Sequence, residues 1–369
     1  MGYEGIEQLF AMMEKLGASD LHLKVGSPPI FRVAGKVRPL DADPLNNDSI
    51  RSLAFSILSE EQQRRFEREL DIDFAYSMSG VGRFRVNIYR QRGSISVAAR
   101  RVQTIIPSFE ELHLEAEVMR KIAQLRQGLV IVAGPTNTGK STTLASIIDH
   151  INETRRCHII TIEDPIEYLH TDKKSFINQR EVGIDVKNLK RALKTVVRQN
   201  PDVILIGEMR DAETVETALT ASETGHLVFG TLHASSAPQT LERMIALFPS
   251  EREHQIRASL RFNLRFVVCQ MLLPSIKEGV KLVPVQEILI INPTAQKLIL
   301  ERQDEKLVEL MRASQNEGMQ TFNQALAKLV QNSFISEETA YAYSTNPEQL
   351  RILIKGIKLA DDKRILGSK

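Results

Sequence analysis

Residues 134–141 read Gly-Pro-Thr-Asn-Thr-Gly-Lys-Ser and match the phosphate-loop pattern GxxxxGK[ST] at every fixed position. The apolar run Leu129–Ala133 leads into this loop, and a segment with helical spacing of its apolar residues leaves it. A strand, a glycine-bearing loop and a helix in that order surround a phosphate with backbone N–H groups and a helix N-terminus. The stretch therefore predicts a site for a nucleoside triphosphate within an α/β fold.

The candidate nucleotide-binding residues lie in this loop and at the start of the helix: Gly134, Thr136, Asn137, Thr138, Gly139, Lys140, Ser141 and Thr142. Lys140 is expected to reach the β- and γ-phosphates, and the Ser141 hydroxyl is expected to bind Mg²⁺. Asn137 stands where a glycine is common, but asparagine tolerates a positive φ better than most residues. A nucleoside triphosphate with Mg²⁺ is therefore the predicted ligand.

Three more short apolar runs predict further strands of the same sheet: His158–Ile162, Val203–Ile206 and Leu227–Phe229. Helix-periodic segments separate them, and this alternation is typical of a parallel sheet that is covered on both faces. Ligands of such sheets lie beyond the carboxyl ends of the strands. The residues that follow each run are therefore candidates for the site.

Three titratable residues follow these runs, namely Glu163, Glu208 and His233. Glu208 stands where a Walker B strand places an acid that holds Mg²⁺ through water or orients the attacking water, although Gly207 replaces the usual aspartate. Alternatively, Glu208 is an acid near a helix N-terminus, because Asp211 is expected to cap the next helix. Glu163 is the rival general base, although Asp164-Pro165 directly after it is also typical of a simple turn. His233 is a γ-phosphate sensor or a structural histidine.

The N-terminal part of the chain predicts a small α+β domain. Helices are expected near residues 4–17, 47–58 and 59–70, and strands near 20–25, 30–40, 82–89 and 94–101. Its last two strands carry Arg83, Arg85 and Arg100. These arginines could supply the cations that phosphoryl transfer uses besides the loop lysine. Their spacing alone instead favours solvated charges on a strand face.

The pattern of elements divides the chain into four segments. These are an N-terminal domain at 1–101, a linker at 102–113, the sheet-containing ATPase domain at 114–292 and a helical C-terminal region at 293–369. The N-terminal domain and the sheet-containing domain make two domains, the number expected for a chain of 369 residues.

Composition excludes several other classes of protein. Lys and Arg total 48 against 46 Asp and Glu, a net charge of +2, so charge does not indicate nucleic acid or an anionic membrane as a partner. Cys157 and Cys269 lie far apart, which excludes a disulfide scaffold and a tetracysteine zinc site. The N-terminus lacks a basic leader, and apolar runs such as Phe266–Leu273 are shorter than the ~18–20 residues of a membrane span. A cytoplasmic protein is expected.

Longer motifs resemble the type IV pilus retraction motors of the PilT/PilU kind, in the secretion-ATPase superfamily. The resemblance runs over nearly the whole chain. It includes the N-terminal opening (residues 17–23), the strand signature Arg-Phe-Arg-Val-Asn (83–87), the Walker A loop (134–142), the Asp box (161–167), a shared Asn-Gln-Arg-Glu-Val segment (178–182), the Walker B segment (201–211) and the His box (224–233).

The resemblance implies a PAS-like N-terminal domain joined to a RecA-like P-loop NTPase core with a helical C-terminal tail. It also implies a homo-hexamer that binds ATP between the two domains. Within the family's motifs, Arg85 and Arg100 match the arginines that reach the nucleotide. Glu163 matches the general base, Glu208 the atypical Walker B acid, and His233 the His-box histidine.

The implied activity is ATP hydrolysis that moves subunits about the linker and is passed to an inner-membrane platform protein that disassembles the pilus. This places the protein at the cytoplasmic face of the inner membrane. Residues 294–299 keep the apolar ends of the retraction motors' Ala-Ile-Arg-Asn-Leu-Ile motif but lose its Arg-Asn centre. An accessory ring subunit of the PilU kind, which binds a paralogous motor, is therefore the alternative. A nucleic-acid translocase is a third hypothesis, which the balanced charge disfavours.

Overall fold

The computed structural model describes residues 5–356, which divide into two compact units. The first contains the residues up to Ile105 together with Glu167–Leu169, and the second contains Ile106–Ile166 and the chain from His170 onward. Gln103 ties Glu167–Leu169 to the first unit, because its N–H donates to the Glu167 carbonyl and its carbonyl accepts from the Leu169 N–H. The ends of the predicted N-terminal domain and helical tail, residues 1–4 and 357–369, lie outside the described residues.

The first unit is an antiparallel sheet with helices packed against it. Its helices are α1 (Ile6–Leu16), α2 (Asn47–Phe55) and α3 (Glu60–Glu69). Its strands are β1 (Ala18–Leu23), β2 (Ile30–Val33), β3 (Lys36–Pro39), β4 (Asp71–Met78), β5 (Gly82–Gln91) and β6 (Ser94–Arg101), in the sheet order β3-β2-β1-β6-β5-β4. The predicted elements are found, and β4 is an additional edge strand that the sequence analysis missed.

Helical periodicity explains how α1 packs on this sheet. Its apolar residues recur at three- and four-residue spacing, so Ile6, Leu9, Phe10 and Met13 all become buried. The ring of Phe10 stacks on that of Phe84 with 4.2 Å between centroids. Burying side chains of this kind contributes roughly 1.5–3 kcal/mol each.

The second unit is an α/β sheet whose strands are mostly parallel. The strands are β7 (Gly128–Ala133), β8 (His158–Glu163), β9 (Phe176–Glu181), β10 (Val203–Ile206), β11 (Leu227–Leu232), β12 (Leu264–Pro274) and β13 (Leu282–Ile290). The sheet order is β13-β12-β7-β11-β10-β8-β9. The four predicted parallel strands are its centre, and every residue of β7, β10 and β11 is buried.

The predicted strands pair in parallel, as expected, and the sheet extends beyond them at one edge through two strands that the sequence did not predict. β12 lies parallel to β7, but β13 returns antiparallel to β12 along a register that runs from Phe266–Ile290 to Pro274–Leu282. A short connection between these strands allows only the antiparallel return, since a parallel neighbour would need a crossover of a dozen or more residues.

Helices cover both faces of this sheet. They are α4 (Ala116–Gln124), α5 (Lys140–Thr154), α6 (Leu189–Val196), α7 (Ala212–Glu223), α8 (Ala237–Ala246), α9 (Glu253–Asn263), α10 (Pro293–Leu300), α11 (Leu307–Ala313), α12 (Phe322–Gln331), α13 (Glu337–Tyr343) and α14 (Pro347–Ile354). α4 and α5 share one hydrophobic cluster with the sheet, and α6–α14 share the cluster on the other face. Within residues 5–356, no helix combines the length and the apolar character needed to cross a membrane.

Glu287 on β13 joins two of these helices through its buried carboxylate. Its Oε1 accepts from the N–H of Ala237, the first residue of α8, at 2.7 Å, and the carboxylate also accepts from the N–H of Phe322, the first residue of α12. Burial raises the pKa of Glu287 from 4.5 to about 6, against the opposing effect of these two hydrogen bonds. The folded protein therefore holds this proton more tightly than the unfolded chain does.

This carboxylate should make the stability of the protein depend on pH. Its contribution to the free energy of unfolding is fully present below pH 4.5 and is lost as the pH rises through about 6, a loss of about 2 kcal/mol. Glu287→Gln should remove this part of the pH dependence in chemical unfolding measured from pH 4.5 to 7. Glu278→Gln, which removes an exposed carboxylate, is the control. If the unfolding free energy of Glu287→Gln varied with pH in parallel with that of the wild type, the assignment would be contradicted.

Candidate nucleotide site

The phosphate loop connects β7 to α5, as its sequence predicts. Gly134 has φ of +152° and Gly139 has φ of +83°, backbone conformations that other residues rarely adopt. A Cβ at Gly134 would clash with the backbone oxygen of Gln270, and one at Gly139 would lie 2.9 Å from Gln270 Nε2. Asn137 adopts φ of +62°, in agreement with the expectation that asparagine tolerates this position. Glycine at 134 and 139 thus allows the loop to curve and to pack closely against Gln270.

Lys140 lies at the beginning of α5 and reaches back across the loop. Its Nζ donates to the carbonyls of Gly134 at 2.9 Å and Pro135 at 2.6 Å. Gly139 is the N-cap residue of α5, so the first N–H groups of the helix lack carbonyl partners within it. A half-buried ammonium beside the N-terminus of a helix is suited to a phosphate group.

Glu208 follows β10 and is bonded to two neighbours. Its Oε2 lies 2.6 Å from a guanidinium nitrogen of Arg210, and its Oε1 lies 3.1 Å from His233 Nε2. The hydrogen bond from Arg210 holds the pKa of Glu208 below its usual value, although partial burial opposes this. The positive charge of Lys140 also lowers this pKa. The structure therefore brings the predicted site residues Glu208 and His233 into contact, close enough to Lys140 for its charge to act on the carboxylate.

Gly207 explains the atypical Walker B segment. The Gly207 N–H donates to the Ile162 carbonyl at 2.8 Å, because the ends of β10 and β8 are adjacent. A Cβ at this position would lie 3.3 Å from both Glu163 Cα and the Ile162 oxygen, which is closer than ordinary contact. A glycine at position 207 lets these two strand ends approach, and Glu208 is the first acidic residue after β10.

Glu163 ends β8, and neutral donors orient it. Its Oε1 accepts from Thr161 Oγ1 at 2.6 Å and from Gln179 Nε2 at 3.2 Å. Gln179 lies on β9 directly opposite Thr161, and its own Oε1 accepts from the His170 N–H at 2.8 Å. The sequence analysis assigned no role to Gln179, although it lies within the shared Asn-Gln-Arg-Glu-Val segment.

Arg85 and Arg100 belong to the first unit, where the structure places them side by side. They face each other across the β5–β6 pair, and Asp20 faces Arg100 across β1–β6. Arg100 Nε donates to Asp20 Oδ1 at 2.7 Å, yet the Arg100 side chain remains 68% exposed. Burial disfavours the charged form of Asp20, but hydrogen bonds from Arg100 and Ser19 outweigh it and hold the pKa of Asp20 below its usual value.

Two other features of the site bear on the predictions. Asp211 caps α7, since its Oδ1 accepts from the Thr214 N–H at 2.8 Å, which confirms that part of the sequence analysis. Arg210, which was not among the predicted site residues, pairs with Glu208 two positions before it. Ser141 in the first turn of α5 and the ionised Glu208 supply oxygen donors of the kind that Mg²⁺ prefers.

Comparison with known proteins shows the family of this chain. The profile of the type II/IV secretion system protein family matches residues 96–342. The type IV pilus retraction ATPase PilT of Pseudomonas aeruginosa is 42% identical over 343 residues, covering 93% of this chain and 99% of that protein. The type IV pilus ATPase PilU of the same organism is 42% identical over 349 residues, covering 95% and 91%.

A solved structure agrees with the fold as well. The crystal structure of the pilus retraction motor PilT with bound ADP superimposes with a TM-score of 0.87 and 44% identity, covering 95% of this chain and 99% of that one. The resemblance seen in the sequence motifs is therefore confirmed. The chain belongs to the type II/IV secretion system protein family and, within it, to the PilT/PilU group of P-loop enzymes that bind nucleotide and hydrolyse ATP.

Proposed function

We propose that this chain is the ATP-driven motor that retracts type IV pili and so powers twitching motility. The observation that carries the proposal is the ionised Glu208 carboxylate, held by Arg210 and His233 beside the Lys140 phosphate loop. It occurs in a chain that matches a pilus retraction ATPase over 99% of that protein's length.

Glu208 and Glu163 take different roles in this proposal. The lowered pKa of Glu208 makes it a poor proton acceptor but a persistent negative charge. Glu163, oriented by Thr161 and Gln179, is then the general base that accepts a proton from the attacking water. His233 donates a hydrogen bond to the γ-phosphate. When that phosphate leaves, the contact between His233 and Glu208 changes. The Ser141 hydroxyl and, through water, Glu208 would hold Mg²⁺, which would supply positive charge to the phosphate oxygens.

The phosphate loop residues hold the nucleotide. Backbone N–H groups from Thr136 to Thr142 surround the phosphates, and Lys140 leaves the Gly134 and Pro135 carbonyls to bind the β- and γ-oxygens. The side chains of Thr136, Asn137, Thr138 and Thr142 line the same cradle. ATP is the substrate.

Arg85 and Arg100 supply the additional positive charge that phosphoryl transfer requires. Their side-by-side placement on β5 and β6 and the exposure of Arg100 support this role. Asp20 holds Arg100 without covering it. In this proposal the arginines reach the nucleotide within a homo-hexameric ring.

The proposed movement uses the division of the chain into domains. A PAS-like domain at 1–101 is joined by a linker at 102–113 to a RecA-like domain at 114–292, with the helical region at 293–369 attached. Hydrolysis moves the domains as rigid bodies about the linker. We place the ring in the cytoplasm against an inner-membrane platform protein, with a paralogous retraction motor as a further partner and no nucleic acid.

Deletion of this chain in its source organism tests the proposed function. Cells should carry many surface pili and should no longer move by twitching, because assembly continues without retraction. Loss of pili would indicate an assembly motor instead. If the purified protein hydrolyses ATP only when it is mixed with a paralogous motor, the accessory-subunit alternative replaces the proposal.

A further inference from the structure

Two buried glutamines face each other across β12 and β13, directly behind the phosphate loop. Gln270 and Gln286 are each 2% exposed and are register partners. Gln270 Nε2 donates to the Thr138 carbonyl at 2.7 Å, and its Oε1 accepts from Thr143 Oγ1 at 2.9 Å and from Gln286 Nε2 at 3.0 Å. One side chain thus bonds to the loop before Lys140 and to α5 after it.

The direction of these hydrogen bonds is fixed at both ends. Gln286 Oε1 accepts from the backbone N–H of Glu115 at 3.1 Å, a group that can only donate. At the other end, the Thr138 carbonyl can only accept. Neither amide can therefore flip without leaving buried polar groups unpaired, which is costly. Gln286 consequently holds Gln270 in one orientation.

That orientation determines where a neighbouring donor points. The peptide between Thr138 and Gly139 is planar and trans, so its carbonyl and its N–H point in opposite directions. Because the Thr138 carbonyl is turned toward Gln270, the Gly139 N–H is turned away from Gln270. Gly139 also cannot carry a side chain, since its Cβ would lie 2.9 Å from Gln270 Nε2.

We propose that Gln270 is a positioning residue that sets the 138–139 peptide so that the Gly139 N–H is aimed at the nucleotide phosphates. Gln286, anchored by the Glu115 N–H, holds Gln270 in place. The inference rests on the proposed function only in assuming that the loop holds the phosphates of a nucleotide. It assigns a role in phosphate binding to a strand outside the phosphate loop and the strand-end motifs.

Gln270→Met tests this proposal because methionine keeps the length of the side chain but cannot donate to Thr138. Affinity for ADP and for pyrophosphate should each fall roughly tenfold, and by the same factor, because the peptide contacts only phosphates. Gln270→Glu keeps the shape of glutamine and, once its carboxylate is ionised at alkaline pH, presents only acceptors to the Thr138 carbonyl, so it should then weaken both ligands at least as much. Calorimetry on the full-length chain measures both affinities.

Gln324→Met is the matched control. Gln324 is a buried glutamine on α12 that bonds to Thr321 and to the Arg312 carbonyl, away from the loop. The Gln324→Met variant should lose about as much thermal stability as Gln270→Met but bind ADP and pyrophosphate as the wild type does. Wild-type affinity in either Gln270 variant, or a loss for ADP without one for pyrophosphate, would overturn the proposal. A wild-type chain that binds neither ligand would instead contradict the proposed function.

Discussion

Replacing Glu208 by glutamine should lower ATP hydrolysis roughly 100-fold while ADP still binds with an affinity within a few fold of the wild type. The reason is that Glu208 is an ionised carboxylate, held so by Arg210 and influenced by Lys140. A neutral amide of the same shape fills the same space but lacks the negative charge with which Glu208 would hold the hydrated Mg²⁺ at the phosphates. Steady-state phosphate release and ADP titration on the purified chain measure the two effects.

Glu216→Gln is the matched control for this variant. Glu216 is a carboxylate on α7 that pairs with Arg252 at 2.7 Å, so its replacement also removes a charge from an arginine pair. Its hydrolysis should equal that of the wild type. Undiminished turnover in Glu208→Gln, or an equal loss in Glu216→Gln, would contradict the role of Glu208.

Replacing Lys140 by alanine should weaken ADP binding roughly 100-fold or more and abolish hydrolysis at ordinary ATP concentrations. The Lys140 ammonium lies at the centre of the loop, where it bonds to the Gly134 and Pro135 carbonyls. Alanine leaves both carbonyls and the bound phosphates without this cation. Equilibrium ADP titration measures the loss.

Lys173→Ala removes a lysine beside the same helix and serves as the control. Lys173 pairs with Asp149 and Glu153 on α5, and we place none of these residues at the phosphates. This variant should bind ADP as the wild type does. If Lys140→Ala bound ADP with wild-type affinity, the nucleotide would have to lie elsewhere in the protein.

The phosphate loop and the central strands could be predicted because their signals are local. GxxxxGK[ST] occupies consecutive positions, and short runs such as Val203–Ile206 are apolar throughout because both faces of the sheet are covered. The rule that ligands lie beyond the strand ends then selected Glu163, Glu208 and His233 without any coordinates. Of these, Glu208 and His233 are in direct contact.

The remaining features depend on residues that are distant in the chain. Gln270 follows Thr138 by 132 positions, so no local pattern could indicate that they are bonded. β9 is a mixed polar strand at a sheet edge and lacks the apolar run that marks its neighbours. The run Phe266–Leu273 is apolar, but periodicity alone cannot show that β13 returns antiparallel beside it.

The most direct test of the account is the retraction of single labelled pili in a strain that lacks this chain. Wild-type protein should restore retraction and twitching, whereas Glu208→Gln, present at the same level, should leave pili extended and cells immobile. Restoration of retraction by Glu208→Gln would contradict the claim that ATP hydrolysis at this site powers pilus retraction.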